Sequence, residues 1–413
     1  MVPKGWRFCK LADISRVTSG GTPNRAISEY WQNGTIPWIR TTEVQNCILQ
    51  PEDAKEYISE LGLRKSSAKL IPENTILLAM IGQGKTRGQI ALLKFEAAIN
   101  QNCAAIIFGK SQEPEFYYHY LLSQYENIRN LSNSAGQSNL SGALVKAINV
   151  LVPPYNEQKK IAQILSTWDK AISVTEKLLT NSQQQKKALM QQLLSGKKRL
   201  LDENGVRFSG DWNSSKLGDL FNFKKGKGLS KSDLSESGIN KCILYGELYT
   251  KYAEIAYEVI SRTNSSDGQL SEPGDILLPA STTTSGIDLA NATALSEGGI
   301  LLGGDINILR PKVRLSSPFL AYFLTHMKKN EISSRAQGIT IIHLYGGDLK
   351  SIDIVLPSTV QEQQKIATVL SAADAEISTL EKKLACLKDE KKALMQQLLT
   401  GKRRVKVDEA VAV

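Results

Sequence analysis

Two short stretches of the sequence come close to motifs with known chemistry. AMIGQGKT (79–86) departs from the phosphate-binding pattern G-x-x-x-x-G-K-[ST] only at Ala79, where the pattern needs glycine. A helix should follow the lysine, but Gly88 interrupts the predicted helix, and no convincing acidic motif for magnesium is present. The sequence therefore argues against a P-loop ATPase and predicts a polar, partly basic loop after a strand.

The second stretch, VPPY (152–155), resembles the Asn/Asp-Pro-Pro-Tyr/Phe motif of amino-methyltransferases. Val152 stands where that motif has the polar residue that binds the target amino group. The 5 cysteines and 3 histidines are scattered and do not show metal-ligand spacing. We therefore expect no catalytic residue, no metal site and no cofactor bound by this chain, and we expect the cysteines to be reduced.

The bulk properties are those of a globular protein with a basic surface. A length of 413 residues allows about two to four domains. The net charge of +10 favours polyanionic partners, of which nucleic acid is the commonest. The sequence has no apolar run long enough for a transmembrane helix, and its start lacks the features of a signal peptide. We therefore expect a cytoplasmic protein.

The elements that would carry any site are organised by an internal repeat. KKALMQQLLSGKKR (186–199) returns as KKALMQQLLTGKRR (391–404), and the match extends back to residues 157 and 362 with 25 of 43 positions identical. Both copies lack internal Gly and Pro and end at a glycine followed by three basic residues. This pattern predicts two long helices with a C-terminal glycine. The basic residues suit either the negative end of the helix dipole or contact with phosphates.

Apolar residues in both copies follow a heptad period. Steps of three and four residues place one stripe of side chains along each helix, which is typical of a coiled coil. The predicted seam consists of Ile161, Leu165, Trp168, Ile172, Leu179, Leu189 and Leu193 in the first helix, and Ile366, Leu370, Ile377, Leu380, Leu384, Leu387, Leu394 and Leu398 in the second.

The connection between the helices predicts their direction. A helix of ~40 residues is ~60 Å long at 1.5 Å per residue. The segment of ~155 residues between them would have a radius of gyration of ~15 Å if it is compact. It can therefore join two helix ends only if they lie close together. The sequence thus predicts an antiparallel coiled coil with pseudo-two-fold symmetry and a globular domain at each end.

The segments before the two helices echo each other weakly. IPENTILLAMI (71–81) is similar to LSEPGDILLPA (270–280), and FYYHYLLSQ (116–124) to FLAYFLTHM (319–327). Short strands bounded by Gly, Pro and Ser predict an α+β fold for both domains. The predicted organisation is a first domain at 1–155, a helix at 156–200, a linker at 201–211, a second domain at 212–360, a helix at 361–404 and a tail at 405–413.

These segments resemble the specificity (S) subunit of Type I restriction–modification enzymes. NVLVPPYNEQKKIAQIL (149–165) and DIVLPSTVQEQQKIATVL (353–370) resemble the entry of that family into its repeated helices. GGTP (20–23) and IPWI (36–39) resemble the start of its target recognition domains, and AGQSNLSGALVKAI (135–148) their end. The resemblance covers nearly the whole chain, and the helical blocks are its most specific part.

The resemblance implies a non-catalytic subunit. Each recognition domain would read half of a bipartite site in double-stranded DNA from the major groove, and the helices would set the spacer between the halves. The helices would also dock two methyltransferase (M) subunits, which bind S-adenosylmethionine and methylate adenine. Restriction (R) subunits, which use ATP and magnesium, would join the assembly.

Polar and basic residues in the loops of both domains are the candidate DNA contacts. Lys and Arg would mostly hold phosphates, whereas Gln, Asn and Thr could read base edges. The candidates are Arg40, Thr41, Thr42, Gln83, Lys85, Thr86, Arg87, Gln89, Gln137, Ser138 and Asn139 in the first domain, and Lys224, Lys225, Lys227, Tyr245, Thr282, Thr283, Thr284, Arg335, Gln337 and Thr340 in the second.

Two alternatives to the S subunit remain open from the sequence. The chain could be the recognition subunit of a related combined restriction–methylation enzyme. It could also be a coiled-coil scaffold whose two domains bind other proteins, in which case its affinity for DNA would not depend steeply on salt.

Overall fold

The computed structural model describes residues 2–82, 84–134 and 139–407. The chain divides into two compact units: unit 1 contains Met1–Lys177 and Lys382–Val413, and unit 2 contains Leu178–Glu381. These units differ from the predicted domains because each includes part of both long helices. No helix within the described residues is long and apolar enough to span a membrane.

The first half of the chain forms a mixed domain followed by one long helix. Its strands are β1 (Arg7–Lys10), β2 (Ser15–Ser19), β3 (Ile36–Ile39), β4 (Cys47–Leu49), β5 (Tyr57–Ile58), β6 (Leu70–Ile71), β7 (Thr75–Ala79), β8 (Ile90–Leu93), β9 (Ala97–Ile99), β10 (Cys103–Phe108) and β11 (Asn149–Val152). Its helices are α1 (Glu60–Arg64), α2 (Pro114–Ser123), α3 (Tyr125–Ser134), α4 (Gly142–Lys146) and α5 (Tyr155–Leu193).

The second half has a similar order of strands, with two additional strands and with its short helices at different places. Its strands are β12 (Trp212–Lys216), β13 (Phe221–Lys225), β14 (Asn240–Ile243), β15 (Ile255–Ala256), β16 (Arg262–Thr263), β17 (Gln269–Leu270), β18 (Ile276–Pro279), β19 (Ser281–Thr282), β20 (Thr293–Leu295), β21 (Leu301–Leu302), β22 (Ile306–Pro311), β23 (Ile342–His343) and β24 (Asp353–Pro357). Its helices are α6 (Leu217–Leu220), α7 (Glu247–Thr250), α8 (Ser317–Met327), α9 (Lys329–Ser334), α10 (Gly346–Leu349) and α11 (Val360–Leu398).

The two domains have the same sheet topology. In unit 1 a 5-stranded sheet has the order β2-β10-β7-β8-β4, and a 4-stranded sheet has the order β5-β3-β9-β6. In unit 2 the matching sheets are β13-β22-β18-β20-β15 and β16-β14-β21-β17. In the larger sheets the edge pairs β4–β8 and β15–β20 are parallel, whereas the central pairs are antiparallel. In the smaller sheets the central pairs β3–β9 and β14–β21 are parallel. Two domains whose sequences diverge therefore share one fold.

The central strand of each larger sheet is buried on both faces. Successive side chains of a strand point to opposite faces, and β7 accordingly sends Ile76 and Leu78 to a core shared with α2 and the long helices. Leu77 faces a second core with the smaller sheet. Each larger sheet is thus packed between helices on one face and a small sheet on the other.

The predicted seam is the less exposed side of both long helices. All fifteen predicted seam residues are buried or half-buried, whereas the residues between them are mostly exposed. The seam residues nearest the domains are fully buried, with Ile161 and Leu165 in the core of unit 1 and Ile366 and Leu370 in that of unit 2. The heptad pattern therefore located the buried face, while the supercoiling of the helices remains a prediction.

The helical segments run antiparallel inside each unit. In unit 1, Asp169 of α5 is bound by Lys391 of α11, and Glu176, further along α5, by Lys388 of α11. In unit 2, Ser182 Oγ donates to Glu376 at 3.1 Å, and Lys186 pairs with Asp374. As the residue number rises along α5, the partner's number falls along α11, as the connection length predicted.

The glycine that follows each long helix has the predicted left-handed conformation. Gly196 has φ of +70° and Gly401 has φ of +68°, a region that glycine adopts at little cost. Gly196 N donates to Leu193 O at 3.2 Å and Gly401 N to Leu398 O at 3.3 Å, which closes each helix. The basic residues after these glycines can then turn away from the helix axis.

Candidate nucleic-acid interface

Each of the two domains is fixed to its long helix through a Glu-Gln pair in the first turn of that helix. Gln158 donates to Pro153 O at 2.8 Å and accepts from the backbone N–H of Glu113, just before α2, at 2.9 Å. Gln363 repeats both bonds, donating to Pro357 O at 3.0 Å and accepting from Ser316 N at 2.9 Å. The glutamine thus joins the last strand, the long helix and the helix of the recognition domain.

The glutamate of the pair binds the end of the other helical segment in the same unit. Arg199 donates to the two oxygens of Glu362 at 2.5 and 2.7 Å, and Glu362 is almost fully buried. Arg404 Nε donates to Glu157 at 2.9 Å, and Trp6 Nε1 donates to the same carboxylate at 3.2 Å. These hydrogen bonds raise the pKa of both guanidinium groups. The last arginine of each basic run therefore has a structural role that neither sequence interpretation had considered.

A second link joins the middle of each recognition-domain helix to the long helices. In unit 2, the hydroxyl of Tyr322 donates to Asp374 at 2.5 Å, and Lys186 binds the same carboxylate. In unit 1, His119 takes the place of the tyrosine, with Nε2 lying 3.7 Å from Asp169 Oδ2. The Asp and Lys positions are repeats of each other, separated by 205 residues. These links hold each domain, and hence its loops, in a defined place on its helices.

The basic loop of the first domain is a connection between two antiparallel strands. β7 leads into it and β8 follows it, and Ala79 N donates to Gln89 O at 2.9 Å at its base. A strand rather than a helix follows Lys85, so the arrangement lacks the helix N-terminus that cradles phosphates in a P-loop. AMIGQGKT therefore differs from a P-loop in the element that follows it, and the absence of nucleotide binding stays a prediction.

The loop candidates are accessible to different degrees. Lys85 is exposed, whereas Thr86, Arg87 and Gln89 are half-buried. The loop rests on α3, since the Tyr125 hydroxyl donates to Lys85 O at 2.6 Å. Gln83, Gln137 and Ser138 lie outside the described residues.

The other candidates of this domain lie beside the same loop. Leu140 N donates to Met80 O at 2.8 Å, which places the exposed Asn139 next to the start of the loop. The turn that contains Thr41 and Thr42 is tied to the far end of the loop, because Asn46 Oδ1 accepts from Ile90 N at 3.1 Å. The structure therefore brings three separate sequence segments to one surface.

Arg40 is a half-buried cation of this surface that already has carboxylate partners. Its guanidinium pairs with Glu43 at 3.1 Å and with Glu56 at 2.6 Å. The hydrogen bond to Glu43 raises the pKa of Arg40, with further contributions from both carboxylates. Thr42 donates to Glu43 as well, at 3.0 Å. This local neutralisation weakens Arg40 as a phosphate contact.

In the second domain the candidates also converge on one surface. Lys224 and Lys225 are exposed at the end of β13, and they line one pocket together with His343, Tyr345 and Lys350. Lys225 lies 3.7 Å from Asp305, and both side chains are largely exposed. The more distant Lys227 is exposed too, in the loop that follows β13.

Three adjacent threonines of this domain differ sharply in exposure. Thr283 and Thr284 are exposed, and Thr284 donates to Asp288 at 2.5 Å. Thr282 is only 1% exposed and shares a hydrogen bond with Thr284 at 2.8 Å. Thr282 therefore lacks the exposure that the sequence interpretation assumed, because it lies in β19 and pairs with β23. Tyr245 is half-buried, and its ring centroid lies 6.4 Å from that of Tyr249.

The segment that follows α9 contains the remaining candidates. Arg335 is engaged within the domain, donating to Asp348 O at 2.9 Å and to Ser351 at 2.5 Å. Gln337 and Thr340 are exposed on a hairpin whose returning strand, β23, pairs with β19. Arg335 thus secures the base of the hairpin, whereas Gln337 and Thr340 point to solvent.

Sequence reasoning missed several residues of this second surface. His343 and Tyr345 form a ring pair with centroids 6.2 Å apart, and Lys350 Nζ lies 5.9 Å from the ring of Phe223. The motif IIHLYGGDLK (341–350), an aromatic and basic run before the last strand, was the available signal. Exposed Lys beside accessible rings suits phosphate and base contacts.

The described residues include potential metal ligands and a histidine with a perturbed pKa. Within residues 2–82, 84–134 and 139–407, no group of three or more His, Cys, Asp or Glu side chains is placed to hold an ion. The most perturbed histidine, His119, is buried in a contact with the long helices rather than in a cleft, and burial lowers its pKa to about 3.

Two domains of one topology, each with a basic loop surface and each fixed to paired helices, define a two-module nucleic-acid recognition protein. The chain matches the family model described as "Type I restriction modification DNA specificity domain" twice, over residues 3–181 and 209–388. It belongs to this family, as the sequence resemblance predicted. The chain is accordingly a DNA sequence-recognition subunit of a Type I restriction–modification system, a class of subunit that is generally non-catalytic.

Known relatives are similar over part or all of the chain. The Type I restriction enzyme EcoR124I/EcoR124II specificity subunit of Escherichia coli is 30% identical over 174 residues, which cover 41% of this chain and 42% of that protein. The MjaIX specificity subunit of Methanocaldococcus jannaschii is 23% identical over 437 residues, covering 98% and 95%. The crystal structure of a Type I S subunit from M. genitalium shares the fold, with a TM-score of 0.61, 18% identity and 96% coverage of both chains.

Proposed function

We propose that the two domains read the two halves of a bipartite site in double-stranded DNA while two methyltransferase subunits dock on the repeated helices. The single observation that carries the proposal is the contrast between the halves of the chain. The helices repeat with 25 of 43 positions identical, whereas the loops on two domains of one topology differ almost completely. Repeated surfaces suit identical partners, and different surfaces suit different DNA sequences.

The chemistry would then reside in the partners. S-adenosylmethionine would be bound by the methyltransferase subunits, and ATP with magnesium by the restriction subunits, with no cofactor bound by this chain. The chain would act in the cytoplasm, where it meets host and invading DNA. The names of the relatives support this proposal, since each is called the specificity subunit of a Type I restriction enzyme.

Mapping methylated adenines in cells with and without this chain tests the bipartite site. We expect a gapped motif with two specified parts that disappears when the chain is removed. A continuous palindrome, or methylation that does not depend on the chain, would contradict the proposal. A protein-binding scaffold would leave methylation unchanged, and its affinity for duplex DNA would not fall steeply with salt.

A matched pair of insertions tests the role of the helices. Seven residues, one heptad, are inserted within 173–186 of α5 alone, or there and at the equivalent 378–391 of α11. The double insertion should preserve both half-sites and lengthen the spacer, because the seam stays in phase. The single insertion should abolish methylation, because the seams no longer match. An unchanged spacer in the double variant would show that the helices do not set it.

A further inference from the structure

The hairpin before the last strand of unit 2 ends in an apolar side chain that touches almost nothing. Gln337 and His343 exchange backbone hydrogen bonds of 2.9 and 2.7 Å, which close a short loop. Gly338 in that loop has φ of +127°. Ile339 follows it and is 98% exposed, more than any other large apolar side chain that the structure describes.

The base of the hairpin is firmly held, in contrast to its tip. Ile342 pairs with Thr282, and His343 pairs with Ser281. Ile342 also packs against the main core of the unit, and Leu344 N donates to Ala280 O at 2.9 Å. The side chain of Ile339 therefore makes little contribution to folding, yet the backbone holds it out from the domain surface.

The surface around the returning arm of the hairpin is suited to a polyanion. Lys224, Lys225 and Lys350 line the pocket that His343 and Tyr345 also line. One carboxylate, Asp305, lies in the same pocket, and it interacts with Lys225 at 3.7 Å and with Ser281 at 3.1 Å. The cations exceed the anions, which complements the charge of a DNA backbone.

An apolar tip on a hairpin whose returning arm lies beside cations matches one feature of the major groove. Thymine presents its 5-methyl group there beside the O4 acceptor, and aliphatic side chains contact that methyl group. Thr340 and Gln337 flank Ile339 and are exposed, so they can reach polar base edges at the same time. Isolated exposed apolar residues are common on proteins. Ile339 differs from them because the base of its hairpin is fixed and lysines lie beside the returning arm, so that DNA is the partner we expect.

We propose that Ile339 is a specificity-determining residue that contacts the 5-methyl group of a thymine in the half-site read by the second domain. The lysines beside the hairpin hold the phosphates that bring the groove to the tip. This inference rests on the proposed function, because it requires that the loop surface of the second domain faces DNA.

The test uses the chain assembled with its methyltransferase subunits and a duplex that carries the site mapped by methylation. Each thymine of both half-sites is replaced in turn by deoxyuridine, which lacks only the methyl group. Burial of one methyl-sized group corresponds to about a fourfold change in affinity. We expect one position in one half-site to weaken binding of the wild-type complex by about fourfold. Ile339→Ala should bind the thymine duplex more weakly, by about fourfold or more, and should not distinguish deoxyuridine there.

Ile239→Ala is the matched control, since Ile239 is 78% exposed in the same unit but lies outside the hairpin. It should bind as the wild type does and keep the sensitivity to deoxyuridine. The inference is overturned if Ile339→Ala keeps that sensitivity, or if no thymine matters to the wild type. Failure of the proposed function looks different: the wild-type complex would then bind the mapped site no better than a scrambled duplex.

Discussion

His119 and Tyr322 occupy equivalent positions in α2 and α8, but they meet the long helices in different ways. Tyr322 donates a hydrogen bond of 2.5 Å to Asp374, whereas His119 Nε2 remains 3.7 Å from Asp169. Burial and the nearby Lys391 lower the pKa of His119 to about 3, so the ring is neutral at physiological pH. The repeated helices thus offer the same Asp and Lys to both domains, and each domain uses them with a different side chain.

The difference shows that the attachment of each domain to its long helix is the same in both units, whereas the residues that make the second contact are not. The Glu-Gln pair keeps the same bonds to the domain in both units. The contact further along the helix has changed in both chemistry and strength. Four predictions test how far the equivalence of the two units extends.

Truncation of the buried seam should have the largest effect and should affect both units alike. Leu165 and Leu370 are both fully buried, at the same place in their units. Leu165→Ala and Leu370→Ala should each lower the free energy of unfolding by about 2–5 kcal/mol, because a cavity replaces the lost contacts. Urea titration with limited proteolysis of each unit measures the loss. Costs that differ by more than the spread of the method would show that the two cores are packed differently.

Removal of the arginine at each helix end should be the next largest effect, and here the units should differ. Arg199→Ala leaves the carboxylate of Glu362 buried without this partner. Trp212 does not compensate for the loss, because its Nε1 has no hydrogen-bond partner among the described residues. A buried carboxylate that loses its partner costs about 3–5 kcal/mol. Arg404→Ala should cost less, because Arg404 is more exposed and Trp6 still donates to Glu157.

Unfolding of each unit in urea measures both variants. Lys198→Ala, at an exposed lysine next to Arg199, serves as the control and should be close to neutral. Equal losses for the two arginines would contradict the role assigned to Trp6.

Acid should destabilise unit 1 through protonation of His119. In unit 2 we expect no such effect from Tyr322, which stands at the equivalent position. The pKa of His119 is about 3 in the folded unit and near 6.5 when unfolded. The unfolded state therefore binds a proton first, and the stability associated with neutral His119 is lost as pH falls from about 6.5 towards 3. His119→Phe should flatten the pH dependence of the melting temperature of unit 1 in this range. Tyr322→Phe should leave that of unit 2 unchanged, since burial raises the pKa of Tyr322.

Tyr322→Phe should instead lower stability at every pH in this range. The hydroxyl that it removes bonds a carboxylate, and such bonds contribute about 1.5–3 kcal/mol. An unchanged acid response in His119→Phe would show that other groups control the pH dependence of unit 1.

The smallest effect should appear in the salt dependence of DNA binding. A lysine that contacts a phosphate contributes about one unit to the slope of log affinity against log salt. Lys224→Ala should reduce the slope by about one, whereas Arg40→Ala should reduce it less, because Glu43 and Glu56 already neutralise Arg40. Binding titrations of the assembled complex at several salt concentrations provide the slopes. A larger change for Arg40 would indicate that it exchanges its carboxylate partners for DNA.

The long helices and their direction could be predicted because their signals are local and repeated. A heptad stripe without Gly or Pro defines a helix and its buried face, and the compact segment between Gly196 and the second copy defines the antiparallel order. The left-handed conformation of the two terminal glycines could also be predicted, because it depends only on their place at the end of a helix. These features depend on periodicity and chain length, which the sequence states directly.

The contacts of individual charged and polar residues could not be predicted, because they depend on partners far along the chain. Arg199 and Arg404 were interpreted as helix-capping or phosphate-binding residues, but they bind Glu362 and Glu157, over 160 residues away. Thr282 was chosen as a polar loop residue, but it lies in a strand and pairs with Ile342, 60 residues later along the chain. Sequence locates such residues in loops, and tertiary pairing decides which remain exposed.

The division of the chain into one continuous and one interrupted unit has a consequence for synthesis on the ribosome. Unit 2 is made of Leu178–Glu381 alone, whereas unit 1 needs Lys382–Val413 as well. Leu398 and Leu399, which are 2% and 1% exposed, belong to the core that also contains Ile161. At about 5–20 residues per second, that core stays open for roughly 10–40 s while unit 2 is translated. Unit 1 is therefore the first to be translated in part and the last to be complete. Its apolar core residues are the ones that stay exposed to solvent during synthesis.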